Sequence, residues 1–346
     1  MSAAWVAGTT RARALARRRL GPGGARRVAA AGSAARAAAV LAETPYGHDV
    51  RMGQDLAEIQ HAVQACLLWH LRVLAGWLPA EGQVMVRLLA RWFEIANVDE
   101  VLGGGPARFR LGALGTAAPR PAAVTGPAGE RAVRAAPFDG EPGGAPPRRI
   151  QLGMRLSWAH EVYGRIRPAA AWAAGAAALL VARERLLDGR PIEGADRRRA
   201  EAMLGVAAPR AGTLPGMAAA LPSAARWALA GLDRPQDLWR AEGRWWERVE
   251  RDGTALLAGP GFGASPVLGA VAVLAADARR VCLAGAVAAY GGDPDEAAYE
   301  GDPGEPPAGG NPASYGGDPA PYRGDPAPYG GGSGDAGHGG GHDEPA

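Results

Sequence analysis

At 346 residues the chain is long enough for two or three domains or one large helical bundle. All 38 basic residues are arginine, and the formal net charge of +3 hides a split: from Gly291 onward there are 11 acidic residues and one arginine, which leaves about +13 on the rest. A basic body admits nucleic acid, an anionic membrane face or an acidic protein as partner; the alanine, glycine and proline content marks compositional bias, so arginine need not imply bidentate chemistry.

A first helix is predicted over AWVAGTTRARALARRRLG, stopping at Gly21-Pro22-Gly23. Arg11, Arg13 and Arg17 interrupt its apolar run, so no secretory signal is expected. A second helix is expected from about Ala25 to Leu41, after which TPYGHD turns the chain. Leu56, Ile59, Val63, Leu67, Leu71, Leu74 and Leu78 then recur at i, i+3, i+4 spacing and predict a helix ending at Pro79. At 1.5 Å per residue it is roughly 35 Å long. Val84, Leu88, Trp92, Ile95, Val98 and Leu102 form the stripe of one further helix, closed by Gly103-Gly104-Gly105-Pro106.

Residues 115–149 are rich in proline and glycine and read as a flexible connection. Helices resume near Gln151, then from Ala169 to Leu187 and from Asp196 to Leu204, with a Pro/Gly break through Gly216. The last helical block is Ser223 to Ala230, Pro235 to Leu257 and Pro266 to Ala289. The longest apolar run, AAAWAAGAAALLVA, is too short and too alanine-rich to span a bilayer, so the expectation is a soluble or peripheral protein. No stretch alternates as a strand would, and the fold is expected to be all-α. Beyond Tyr290, YGGDPD, YEGDPG, YGGDPAPY and YRGDPAPY are imperfect copies of a Gly-Asp-Pro unit that cannot bury a core. This acidic tail is expected to be disordered, and Arg323-Gly324-Asp325 reads as a by-product of its repeat.

Chemistry is sparse. GGGPAR lacks the lysine of a phosphate loop. His338 and His342 stand four apart, but the glycines between them forbid the helix that would hold them on a metal. His48, His61, His70 and His160 are scattered, and no Ser-His-Asp or Cys-His set assembles. Cys66 and Cys282 lie in apolar helical patterns and read as small buried hydrophobes in a reducing compartment. No catalytic, cofactor-binding or metal residue is assigned. Eight arginines from Arg11 to Arg36 precede the first acid, Glu43; they form either a solvated face or a docking surface for an acidic partner. Nucleic-acid binding is the weaker reading, with no recognisable module and no aromatic stacking platform beside the charge.

One pattern recurs. EIANVDEVLG from Glu94 and DRRRAEAMLG from Asp196 share an acid first, Asn or Arg fourth, and an apolar-Leu-Gly close. DARRVCLAG from Asp277 is a looser, shorter copy. The blocks RARALARRRL, LAETPYG, LLARWFEIANVDEVLGG, GADRRRAEAMLG and SPVLGAVAVLAADARRVCLAG resemble those of the C/d family of rotor-cap proteins of A-type and V-type rotary ATPases. The resemblance covers most of residues 1–290; Asp277 stands where that family has Glu, and Arg199 where it has Asn. It implies a funnel of three helical lobes with pseudo-threefold symmetry (1–105, 106–212 and 213–290), followed by the tail 291–346. It further implies a subunit without catalysis, nucleotide or metal, peripheral on the cytoplasmic face of the membrane. Its partners would be the proteolipid rotor ring, through which alone it meets the membrane, and the central-stalk subunit. The opening acids would act as packing and capping groups. The alternative is a basic helical nucleic-acid-binding or regulatory adaptor using Arg11 to Arg36.

Overall fold

The computed structural model describes residues 2–115 and 147–294, which form α-helices joined by turns and 3₁₀ segments, with no strand among them. Helix α1 (Ala3–Ala16) ends earlier than expected, and α2 (Gly21–Ala29) begins at the glycine-proline pair that the sequence suggested as a stop. Gly21 takes φ +70°, a conformation glycine alone reaches without strain, and Pro22 sits in the first turn, where its missing N–H has no intrahelical partner to lose. The helix expected from Ala25 to Leu41 is two. Gly32 at φ +72° turns the chain, and Ser33 Oγ accepts from Arg36 N at 3.3 Å to open α3 (Ala34–Ala42).

The Thr-Pro-Tyr-Gly block is a 3₁₀ turn, Pro45–His48, whose Tyr46 N donates to Thr44 Oγ1 at 3.2 Å. Helix α4 (Leu56–Gly76) carries the expected stripe and starts with a capping box. Glu58 N donates to Asp55 Oδ1 at 2.8 Å, and Asp55 N donates to Glu58 Oε2 at 2.9 Å. The single helix expected to reach Leu102 is instead α5 (Ala80–Ala90) and α6 (Trp92–Leu102), broken at Arg91. There the chain tightens to a three-residue turn, Arg91 N to Leu88 O at 3.4 Å, and the buried guanidinium is held by Glu94 and by Glu161.

In the second half, α7 (Pro147–Arg165) leads through a short turn to α8 (Ala170–Ala182), which continues as a π-helical turn over Arg183–Leu187. Helix α9 (Gly194–Leu204) follows. Helix α10 (Leu214–Ala220) begins inside the expected break: Pro215 occupies its first turn, and Thr213 Oγ1 accepts from Gly216 N at 3.2 Å. The short α11 (Ser223–Arg226) precedes two long helices, α12 (Leu238–Ala258) and α13 (Ala264–Tyr290). These two approach backbone to backbone. A Cβ on Gly269 would stand 2.4 Å from the carbonyl oxygen of Gly253 and 2.6 Å from Leu257 N.

Two apolar cores result. One gathers α1–α5 around α13, with Leu41, Ile59, Leu68, Leu74, Val273 and Val281 buried. The other joins α7–α12 through Leu156, Met203, Leu204, Leu214 and Met217. Leu88, Val162, Trp172, Val249 and Leu268 form a third cluster in contact with both halves. Helix α13, assigned from sequence to residues 213–290, thus shares its core with helices of residues 1–105. No helix among the described residues is long and apolar enough to cross a membrane. Most of the tail, with Arg323-Gly324-Asp325, His338 and His342, lies outside the described residues, as does most of the connection at 115–149.

Candidate functional site

The side chain of Asp277 is completely buried midway along α13. A bare carboxylate there is tolerable only if its lone pairs are filled, and they are. Leu20 N donates to Oδ2 at 2.8 Å, Gly21 N to Oδ1 at 2.7 Å, and the Tyr46 hydroxyl to Oδ2 at 2.8 Å. The two amides are orphan donors at the start of α2, whose own N-cap, Leu20, has no side-chain acceptor. Asp277 therefore caps that helix from a distant part of the chain and places negative charge against the positive end of its dipole. Arg280, one turn on, lies 3.7 Å from Oδ1 and pairs with Glu250 of α12. Burial, and next the Asp277 charge, raise the Tyr46 hydroxyl pKa well above its usual value, so it remains a donor. This one carboxylate fixes α2, the Thr-Pro-Tyr-Gly turn and α13 to one another.

The acids in the first copy of the recurrent pattern make joints of the same general kind. Glu94 lies 3.6 Å from Arg91, and Arg91 reaches across to Glu161 on α7. Asn97 donates to the carbonyl of Phe109 and accepts from its N–H, both at 2.7 Å, holding the segment that leaves α6. Asp99 forms a buried ion pair with Arg155 of α7 at 2.9 Å. In the second copy, Asp196 pairs with Arg199 at 3.0 Å and lies against Gly153, where a Cβ would come within 3.2 Å of both carboxylate oxygens.

The apolar phase is common to the copies: four residues after each acid, Val98, Ala200 and Val281 are all buried. Seven after, Met203 and Ala284 are buried and Val101 partly so. The settings differ, because Glu94 and Asp196 lie in the first turns of α6 and α9, whereas Asp277 is mid-helix. Tyr46, Arg91 and Arg155 were not singled out from sequence. Arg155 lies in the stretch Gly153–Ser157, where α7 is buried on every side, and apolar spacing does not mark it.

The histidines do not converge. His48 is half-exposed, contacts Asp49 at 2.9 Å and stacks on Trp69; His160 is exposed. Burial and then Arg108 lower the pKa of His61, while burial and then Arg18 push that of His70 down to about 4. Burial pushes the Cys66 and Cys282 thiols up to about 12, and neither forms a disulfide. Among the described residues no group of three or more His, Cys, Asp or Glu side chains is placed to hold a metal. Arg11, Arg17, Arg18, Arg26, Arg27 and Arg36 are exposed on α1–α3, and Arg13 is drawn down onto the carbonyls of Gly259 and Gly261. No protein-family model and no curated protein matches the chain.

Proposed function

We propose that this chain is a non-catalytic subunit of a V/A-type rotary ATPase, seated on the proteolipid ring and holding the central stalk. Its task is mechanical: it passes torque between nucleotide-driven rotation and ion-carrying rotation in the membrane. The observation that carries the reading is the Asp277 junction. Three of the five blocks that resemble the family meet there: Leu20, the last residue of the first block, with Gly21 just after it, Tyr46 in the second, and Asp277 in the last. Residues far apart in sequence thus make one piece of structure, and this supports reading the blocks as parts of one joint. The buried Asp99–Arg155 pair and the backbone contact of α12 with α13 suit a body that must transmit torque without its helices sliding. In this reading the body is a three-lobed funnel on the cytoplasmic face of the membrane, and the opening acids lock its helices.

The experiment is association of the purified full chain with the purified central-stalk subunit of its own organism. A one-to-one complex without ATP hydrolysis by this chain supports the proposal. No association, or ATPase activity that follows the chain through purification, contradicts it. The exposed arginines of α1–α3 favour a second reading, a nucleic-acid-binding adaptor. That reading requires tight binding to generic duplexes with a steep decline as salt rises.

A further inference from the structure

Helices α1–α3 form a layer on α13 and α4. Their inner faces, with Ala12, Leu15, Ala25, Val28, Ala37 and Leu41, are buried. Their outer faces carry arginine without acid: from Ser2 to Ala42 the sequence has eight arginines and no Asp or Glu. Arg11, Arg17, Arg18, Arg27 and Arg36 are exposed and form no ion pair with any described residue. Elsewhere most arginines are matched, as in Arg148–Asp188, Arg190–Glu184, Arg210–Glu201 and Arg234–Asp237. The excess of positive charge is therefore densest in this layer, which holds eight arginines and no acid, and such a surface attracts a polyanion.

The same chain contains one. From Gly291 onward it holds 11 acids against the single Arg323. It also departs from the right place. Helix α13 runs through the core beneath α1–α3, with Val281, Ala284, Val287 and Ala288 buried there, and delivers the chain at the exposed Tyr290. Three helices side by side at about 10 Å spacing span ~30 Å, which about ten extended residues cross. Residues 291–346 are several times that length.

We propose that the acidic segment 293–346 docks on the arginine face of α1–α3 of its own chain. Tethering sets its local concentration near the millimolar range, so weak, distributed ion pairs suffice for occupancy. The segment then acts as a built-in competitor: an external polyanion must displace it to reach the arginines. The contact is electrostatic and must weaken as the Debye length falls from ~10 Å at 0.1 M salt to ~3 Å at 1 M. This inference rests on the charge pattern and holds whether or not the rotary reading does.

The test uses the full chain with Ser333→Cys carrying a nitroxide label. The native thiols, Cys66 buried and Cys282 partly buried, are pushed up to about 12 by burial and react slowly with the label at neutral pH, and Cys282→Ala removes the more accessible of the two. Paramagnetic broadening is read on isotope-labelled alanine methyls at low salt, then in ~1 M NaCl. The expected result is loss of roughly half or more of the signal from exposed alanines of α1–α3 at low salt, with recovery at high salt. The quadruple change Arg17→Glu, Arg18→Glu, Arg27→Glu, Arg36→Glu abolishes the broadening while the circular dichroism of the body is kept. Three outcomes overturn the proposal. One is no broadening on α1–α3. Another is equal broadening around the exposed Arg197 and Arg198 of α9. The third is broadening that appears undiminished when labelled chains are mixed with separate isotope-labelled, nitroxide-free chains, which makes the contact intermolecular.

Discussion

Replacing Asp277 with Ala removes the acceptor of three hydrogen bonds at once and leaves Leu20 N, Gly21 N and the Tyr46 hydroxyl without it in a buried site. Hydrogen bonds to a charged group contribute about 1.5–3 kcal/mol each, and some donors will recover water or a looser partner. The expected loss is therefore about 4–6 kcal/mol, a large share of the ~5–15 kcal/mol by which domains are stable. Arg280 adds little to this figure, because Glu250 remains as its partner. Asp277→Asn keeps an acceptor oxygen for Leu20 N and the Tyr46 hydroxyl but turns an NH₂ toward Gly21 N, and should cost about half as much. Tyr46→Phe removes one bond of the three and should cost about 1.5–2 kcal/mol, the low end of that range. Urea unfolding at pH 7, followed by circular dichroism, should rank the midpoints in that order. The double change Asp277→Ala, Tyr46→Phe should cost less than the sum of its parts, since the two side chains share a bond. An Asp277→Ala protein within about 1 kcal/mol of the parent would refute the joint, as would a Tyr46→Phe loss equal to that of Asp277→Ala.

His70 supplies a pH prediction. Its folded pKa of about 4 lies below the ordinary 6.5, so between those values the unfolded chain binds a proton that the folded one does not. Stability should fall as pH drops from about 6.5 to 4, by roughly 3 kcal/mol from this group, and His70→Gln should flatten that part of the urea-midpoint profile. Gly269→Ala forces a methyl against the backbone of α12 and should cost about 3 kcal/mol; an unchanged thermal midpoint would show that the helices can part freely. Val98→Asp puts a charge into a buried position and should cost a few kcal/mol, roughly 3 or more, whereas Glu94→Gln keeps a polar side chain beside Arg91, which retains Glu161, and should cost less, about 1–1.5 kcal/mol. Equal losses for those two variants in chemical unfolding would mean that the phase of the α6 stripe does not decide its packing.

Where apolar spacing was the only signal needed, the sequence was readable. Helix α4 runs Leu56–Gly76 against an expected end at Pro79, and α13 runs Ala264–Tyr290 against Pro266 to Ala289. Breaks were harder, because glycine and proline punctuate without saying which side is helical. Gly21-Pro22 looks like a stop and is a start, Pro215 likewise opens α10, and Gly32-Ser33 hides an N-cap inside an alanine run. The break at Arg91 had no local signal. The arginine there pairs with Glu161, seventy residues away, and periodicity carries no information about such a partner. Asp277 itself was visible as the head of a recurrent pattern, but its donors are two backbone amides and a tyrosine from other elements. Short-range spacing can mark the acid and cannot name what it holds.

The rotary reading is tested most directly by expressing the full chain with an affinity tag at its natural level and isolating it from detergent-solubilised membranes of its own organism. The proposal predicts that the catalytic, central-stalk and proteolipid subunits of a rotary ATPase are recovered with it in fixed ratio, and that the ratio survives moderate salt. Recovery of the chain alone, or with nucleic acid that salt removes, while the intact rotary complex is isolated without it, would contradict the proposal.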